Sequence, residues 1–187
     1  MSALLDVTET AIPAVKIIVP KSFGDARGSF SETYNSARFS ECGIDLAFVQ
    51  DNQSRSSQVG TLRGLHFQSA PKAQDKLIRV LRGRIFDVAV DLRRNSPTYG
   101  KWVGEELSAD NMKQLLVPIG FAHGFCTLEP DTEVLYKVTE YYSQPNDLGI
   151  AWDDPDIAIG WPLASRSAVL SAKDSQQPAF RDLPAYF

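Results

Sequence analysis

Pro118-Ile119-Gly120-Phe121-Ala122-His123 is the stretch that decides among β folds, and it reads P-x-G-x-x-H. Around it the chain is built from short β-rich segments bounded by turn residues, which are the ordinary marks of strands. Upstream these are residues 14–20, 28–34, 47–54 and 61–67. Segments 76–81 and 85–92 flank Gly83 and read as a hairpin, and 102–107, 114–118, 122–128 and 132–142 follow. Alternation places Lys76, Arg82 and Arg84 opposite Leu77 and Leu81. Helical signals are weak. Residues 35–42 fit one short helix, with Asn35 or Ser36 as cap and Gly43 as stop, and another turn is expected near 167–175. Many short strands at even spacing point to a sandwich or a closed barrel.

Length and composition set the outer bounds. The 187 residues suit a single domain, residues 1–187, with the N-terminal region 1–24 expected in a dimer contact, its apolar segment 14–20 an exposed edge strand that pairs with a partner sheet, and segment 163–187 packing on the barrel. Hydrophobic residues at 43% and charged residues at 22% are ordinary for a globular protein. The net charge of −4 argues against nucleic-acid binding, which needs a basic surface. No apolar run approaches the length of about 20 residues that a membrane helix requires. The N-terminus lacks the basic region and small-residue cleavage site of a signal peptide. Cys42 and Cys126 form no metal or redox motif and read as free thiols of a cytoplasmic protein.

The P-x-G-x-x-H stretch resembles the second motif of cupin barrels. The first cupin motif is present only in part. Gly60 is followed by five residues and then His66, but Phe67-Gln68 stands where x-His would complete the pattern. Six residues separate Lys76 from Gly83, so a cation occupies the position of the cupin glutamate ligand. The chain has only two histidines, His66 and His123. Two imidazoles and an ammonium make a poor site for iron, manganese or zinc, so no metal and no cofactor are expected. A lysine directed at a carbonyl oxygen can instead stabilise the oxyanion of an enolate.

Further stretches make the resemblance specific. They are Asp25-Ala26-Arg27-Gly28-Ser29-Phe30 with Glu32, Phe48-Val49-Gln50-Asp51-Asn52 with Ser54, and Gly60 through Gln68. Lys76-Leu77, Phe86 through Arg93, Ile119 through Phe125, Tyr136-Lys137, Asp154-Pro155, Trp161-Pro162 and Leu170 through Asp174 follow in order. Taken together, from about residue 25 to 174, they resemble the dTDP-4-dehydrorhamnose 3,5-epimerase family. The resemblance implies a mainly β, cupin-type jelly-roll barrel with a few short helices, and a cytoplasmic homodimer. It also implies an isomerase that inverts C3 and C5 of dTDP-4-dehydro-6-deoxy-D-glucose, a step toward dTDP-L-rhamnose and hence a polysaccharide precursor.

The chemistry of such a reaction sorts the residues. Epimerisation beside a ketone needs a base on one face, an acid on the other and help for the enolate oxygen. His66 is the natural base, since imidazoles titrate near neutral pH; a buried structural histidine is the bland alternative. Lys76 suits the oxyanion, against a reading as a strand-face lysine. The acid should be a phenol. The resemblance selects Tyr136, while Tyr141 and Tyr142 compete on the same expected strand, with Tyr142 also a candidate for the nucleotide pocket. The resemblance pairs Asp174 with His66, an arrangement that fixes a tautomer and supports an imidazolium; a cap or surface charge is the alternative. It assigns substrate contacts to Arg27, Glu32, Gln50, Asp51, Asn52, Arg63, Lys76, His123, Tyr142, Asp147 and Lys173. The competing readings are a 3- or 5-epimerase of a related nucleotide sugar, a metal-dependent cupin oxygenase, and a non-catalytic sugar-binding cupin.

Overall fold

A computed structural model describes residues 4–187; the first three residues of the expected N-terminal contact region lie outside the described residues. The described residues are mainly antiparallel β. Among them, thirteen strands form a six-stranded sheet, a five-stranded sheet and a separate two-stranded hairpin. The six-stranded sheet runs β1 (Leu5–Glu9), β2 (Lys16–Pro20), β10 (Gln114–Val117), β7 (Lys76–Arg82), β12 (Thr132–Val138), β5 (Gln50–Ser56). The five-stranded sheet runs β13 (Asp147–Gly149), β6 (Leu62–Gln68), β11 (Phe121–Thr127), β8 (Arg84–Asp91), β9 (Trp102–Ser108). Among the described residues, β3 (Ser22–Asp25) and β4 (Gly28–Ser31) pair only with each other.

Alternation of side chains builds three apolar layers. Between the sheets, Ile78, Val80, Leu115, Val117 and Val134 meet Ile85, Ala89, Val103, Leu107, Phe121 and Phe125. Outside the five-stranded sheet, Leu65, Phe67, Val88 and Val90 are covered by the tail through Ile157, Trp161, Phe180, Leu183 and Phe187. Outside the six-stranded sheet, Leu5, Ile18, Leu77 and Leu116 are covered by Phe39 and Ile44. Phe39 belongs to the one α-helix among the described residues, α1 (Ser36–Glu41). Asn35 caps it, its side chain accepting from the N–H groups of Ala37 and Arg38, and Gly43 at φ 76° ends it.

Three expectations are corrected. The segments flanking Gly83 are not a hairpin: β7 pairs with β10 and β12, β8 with β9 and β11, and Gly83 (φ 77°) carries the chain from one sheet to the other. The apolar 14–20 segment is no edge, because β1 pairs over it and β10 flanks its other side. The strand expected over 132–142 stops at Val138, so Tyr141 and Tyr142 lie beyond it, exposed.

Candidate active site

A cavity of about 260 Å³ opens between the sheets, lined by Ser54, Arg63, His66, Lys76, His123, Phe125, Tyr136, Ser171 and Asp174. The two histidines are cross-strand partners on β6 and β11. Lys76 and Tyr136 come from the facing sheet, on adjacent strands β7 and β12. The register of β11 on β6 shifts by one residue between His123 and Phe125. Gly64 lies opposite that shift at φ 126°, where an added Cβ would fall 2.6 Å from Gly124 Cα. Glycine tolerates both the dihedral and the close approach. The bulge lets Arg63 and His66, three apart, both face the cavity, whereas Leu65 and Phe67 pack in the outer layer.

His66 Nε2 lies 2.6 Å from Asp174 Oδ1. Asp174 sits in a 3-10 turn (Asp174–Gln176), 4% exposed. Ser171 Oγ donates to its Oδ2 at 2.7 Å, and its own N–H donates back to Ser171 Oγ at 3.1 Å. Burial pushes the Asp174 carboxyl up, but hydrogen bonds from His66, Ser171 and the Gly64 backbone outweigh it and hold the group below its ordinary value. The carboxylate is therefore an acceptor, and the turn that carries it is the one expected near 167–175.

Lys76 Nζ donates to the His66 carbonyl at 3.3 Å. Burial pushes its ammonium down to about 8, against the opposing pull of Asp147 and then Asp87, while Lys173 adds to the lowering. The Tyr136 phenol is raised, first by burial, then by Asp147, with Arg63 opposing. A phenol held in its protonated form is suited to give a proton. His123 is buried, its Nε2 2.7 Å from Asp87 Oδ1. Arg63 is held by Nε donating to Ser56 Oγ and Nη2 to the Arg55 carbonyl, each at 3.2 Å.

The other candidate residues fall into two places. Gln50, Asn52, Tyr142, Asp147 and Lys173 form a connected polar rim. Gln50 Nε2 donates to Asn52 Oδ1 at 2.9 Å and the Tyr142 N–H donates to Gln50 Oε1 at 3.0 Å. Tyr142 Oη and Lys173 Nζ donate to the same Asp147 oxygen, at 3.1 and 2.6 Å. Asn52 is also the cross-strand partner of Tyr136, which ties the rim to the cavity wall. Three candidates lie apart from the cavity within this chain. Asp51 follows the alternation of β5 outward and pairs with Lys137 at 2.9 Å. Arg27, its side chain 90% exposed and paired with Asp25, sits on the isolated β3–β4 hairpin, and exposed Glu32 follows it.

Sequence reasoning gave no role to Ser54, Phe125, Ser171 or Asp87. Asp87 carried a readable signal, an acid inside the apolar run Ile85-Phe86-Asp87-Val88-Ala89-Val90. Ser171 had the spacing of a local partner, three residues before Asp174. Among the described residues no three His, Cys, Asp or Glu side chains group as a metal cage.

The family model for dTDP-4-dehydrorhamnose 3,5-epimerase matches residues 9–182. A relative of that name from Sinorhizobium fredii is 55% identical over 177 residues, 95% of this chain and 90% of the relative. The crystal structure of the Bacillus anthracis epimerase with TDP and PPi bound superposes with a TM-score of 0.91 at 54% identity, covering 94% of this chain and 99% of that one. The Legionella pneumophila protein in complex with dTDP-4-keto-L-rhamnose gives 0.92 at 46% identity, covering 97% and 95%.

Proposed function

This chain belongs to the dTDP-4-dehydrorhamnose 3,5-epimerase family, and from that premise we propose that the cavity between its sheets inverts C3 and C5 of dTDP-4-dehydro-6-deoxy-D-glucose, with His66 as base, Tyr136 as acid and Lys76 as partner of the enolate oxygen. One observation carries the assignment: imidazole and phenol line one cavity from facing sheets. A sugar ring held between them meets a base on one face and an acid on the other.

Asp174, held as an acceptor, receives the hydrogen bond of His66 Nε2–H and leaves the Nδ1 lone pair to remove a proton beside the C4 ketone. Negative charge then moves to the ketone oxygen. A partly desolvated ammonium there is worth more than one in water. Tyr136 delivers its proton to the opposite face, which inverts the centre. Each inversion leaves His66 protonated and Tyr136 as a phenolate, and proton exchange with solvent restores both before the next centre is inverted.

The nucleotide end falls to the rim. The exposed ring of Tyr142 offers a stacking surface for a base, and Gln50, Asn52 and Asp147 offer polar groups. Arg63 and Lys173 supply positive charge for the diphosphate. Arg27 and Glu32 fit the same purpose only in a homodimer, the β3–β4 hairpin reaching a second copy. The half-exposed Phe23 and the exposed Phe30 on that hairpin favour such a contact. A monomer mass in light scattering would remove this part of the reading. Cytoplasmic placement belongs to it too, supported by the free thiols of Cys42 and Cys126; recovery in another compartment on cell fractionation would contradict it.

The test is NMR of dTDP-4-dehydro-6-deoxy-D-glucose in D₂O with the unaltered chain and with Tyr136→Phe. The unaltered chain incorporates deuterium at C3 and C5 with inversion. In Tyr136→Phe the base still forms the enolate and returns a solvent-derived proton to its own face. Exchange persists while inversion falls about 10²-fold or more. Normal inversion by Tyr136→Phe would sink the acid assignment.

A further inference from the structure

The cavity's second imidazole has a carboxylate of its own, unlike the first in its surroundings. Asp174 takes hydrogen bonds from three donors. Asp87, on β8, is 0% exposed and is not part of the cavity wall. Its Oδ1 meets His123 Nε2 at 2.7 Å, while its Oδ2 is sealed from solvent and has no hydrogen-bond partner among the described residues. A buried carboxylate oxygen left unpaired weakens a fold, so packing does not account for this acid. His123 Nδ1 makes no hydrogen bond among the described residues either, and it is not among the sealed atoms. The ring lines the cavity, and this is the nitrogen left to face it.

Lys76 gives Asp87 a second connection. Burial drives the ammonium toward its neutral form, and the carboxylates of Asp147 and Asp87 oppose this. Asp147 stands at the rim with its side chain 19% exposed and Lys173 Nζ 2.6 Å from it, so its charge is locally balanced and screened by solvent. Asp87 lies in the dry interior, where a charge is least screened. The remaining titratable groups around Lys76 are His66, His123 and Asp174 on the imidazole side and Tyr136 and Arg63 beside the mouth.

We propose that Asp87 is a positioning residue for the enolate side of the cavity: without touching the sugar, it fixes the His123 ring with Nδ1 toward the substrate, and together with Asp147 it adds to the negative field around the Lys76 ammonium. This rests on the reading of Lys76 as the partner of the enolate oxygen.

The experiment measures kcat and KM for dTDP-4-dehydro-6-deoxy-D-glucose from neutral to alkaline pH in the unaltered chain, Asp87→Asn and Asp87→Glu. In Asp87→Asn, kcat falls about 10- to 100-fold, the range for carboxylates that orient metal-bound imidazoles, taken here for the same orienting role, and KM changes less. The alkaline limb moves to lower pH, because removing a negative charge lets the ammonium lose its proton sooner. Asp87→Glu, which keeps the charge, brings the limb back toward the parent. Parental kcat and limb in Asp87→Asn, or a loss confined to KM, would overturn the proposal. A second measurement needs no substitution at Asp87. ¹⁵N-histidine labelling gives two ring systems, assigned with His66→Asn, and His123 is expected to carry a proton on Nε2. An unprotonated Nε2 would make Asp87 the donor, a neutral acid with no field to lend, and would end the proposal even if Asp87→Asn failed to fold. Failure of the unaltered chain to exchange or invert the sugar counts against the function; the ring-proton result counts only for or against Asp87.

Discussion

The two sheets bring different kinds of group to one cavity. The five-stranded sheet contributes imidazoles, each tied through Nε2 to a buried carboxylate. The six-stranded sheet contributes an ammonium and a phenol shaped by burial, with no carboxylate hydrogen-bonded to either among the described residues. On the proposed reading, one wall takes protons and the other gives protons or positive charge. The difference teaches that a metal's work can be divided between two surfaces: orientation by hydrogen bonds on one, and electrostatic stabilisation by partial desolvation on the other.

The largest effect should come from breaking the accepting wall. His66→Asn removes the proposed base, so deuterium exchange and inversion fall together, by about 10⁴-fold, the upper end for a general base. Exchange that survived while inversion stopped would move the base elsewhere. Breaking the donating wall should cost less. Lys76→Ala depresses both processes by about 10²–10³-fold, since both pass through the same oxyanion. A change in inversion alone, by the same NMR assay, would contradict the shared intermediate. The smallest effect tests the outer face of the six-stranded sheet. Asp51→Asn breaks an ion pair whose carboxylate is 54% exposed, a kind worth about 0–1 kcal/mol. It should leave kcat within about twofold and thermal stability almost unchanged; a tenfold fall in kcat would show that the two faces of β5 are not independent.

How far the sequence carried this picture depends on the range of each interaction. Strand positions and the α1 cap were legible, because alternation and capping are written in neighbouring residues. His66, Lys76, Tyr136 and Asp174 were legible through the pattern they share with a family, and the cavity unites them. Pairing was not legible at Gly83, since a glycine at a left-handed φ serves equally in a hairpin and in a passage between sheets. Arg27 and Glu32 could not be placed from sequence, as nothing local says whether a hairpin serves its own chain or another. Asp87 was visible as an acid in an apolar run, yet its role appears only once His123 from β11 is seen beside it.

The bulge at Gly64 has a consequence of phase. A regular strand keeps one parity, so a site needing both a cation for the diphosphate and a base for the sugar would draw them from even-spaced positions or from two strands. One additional residue reverses the parity of β6 midway: Arg63 faces inward before the reversal, His66 after it. The spacing between the Arg63 guanidinium and the His66 imidazole is thus written into the backbone as a count of residues, and mutation of side chains alone would not reset it.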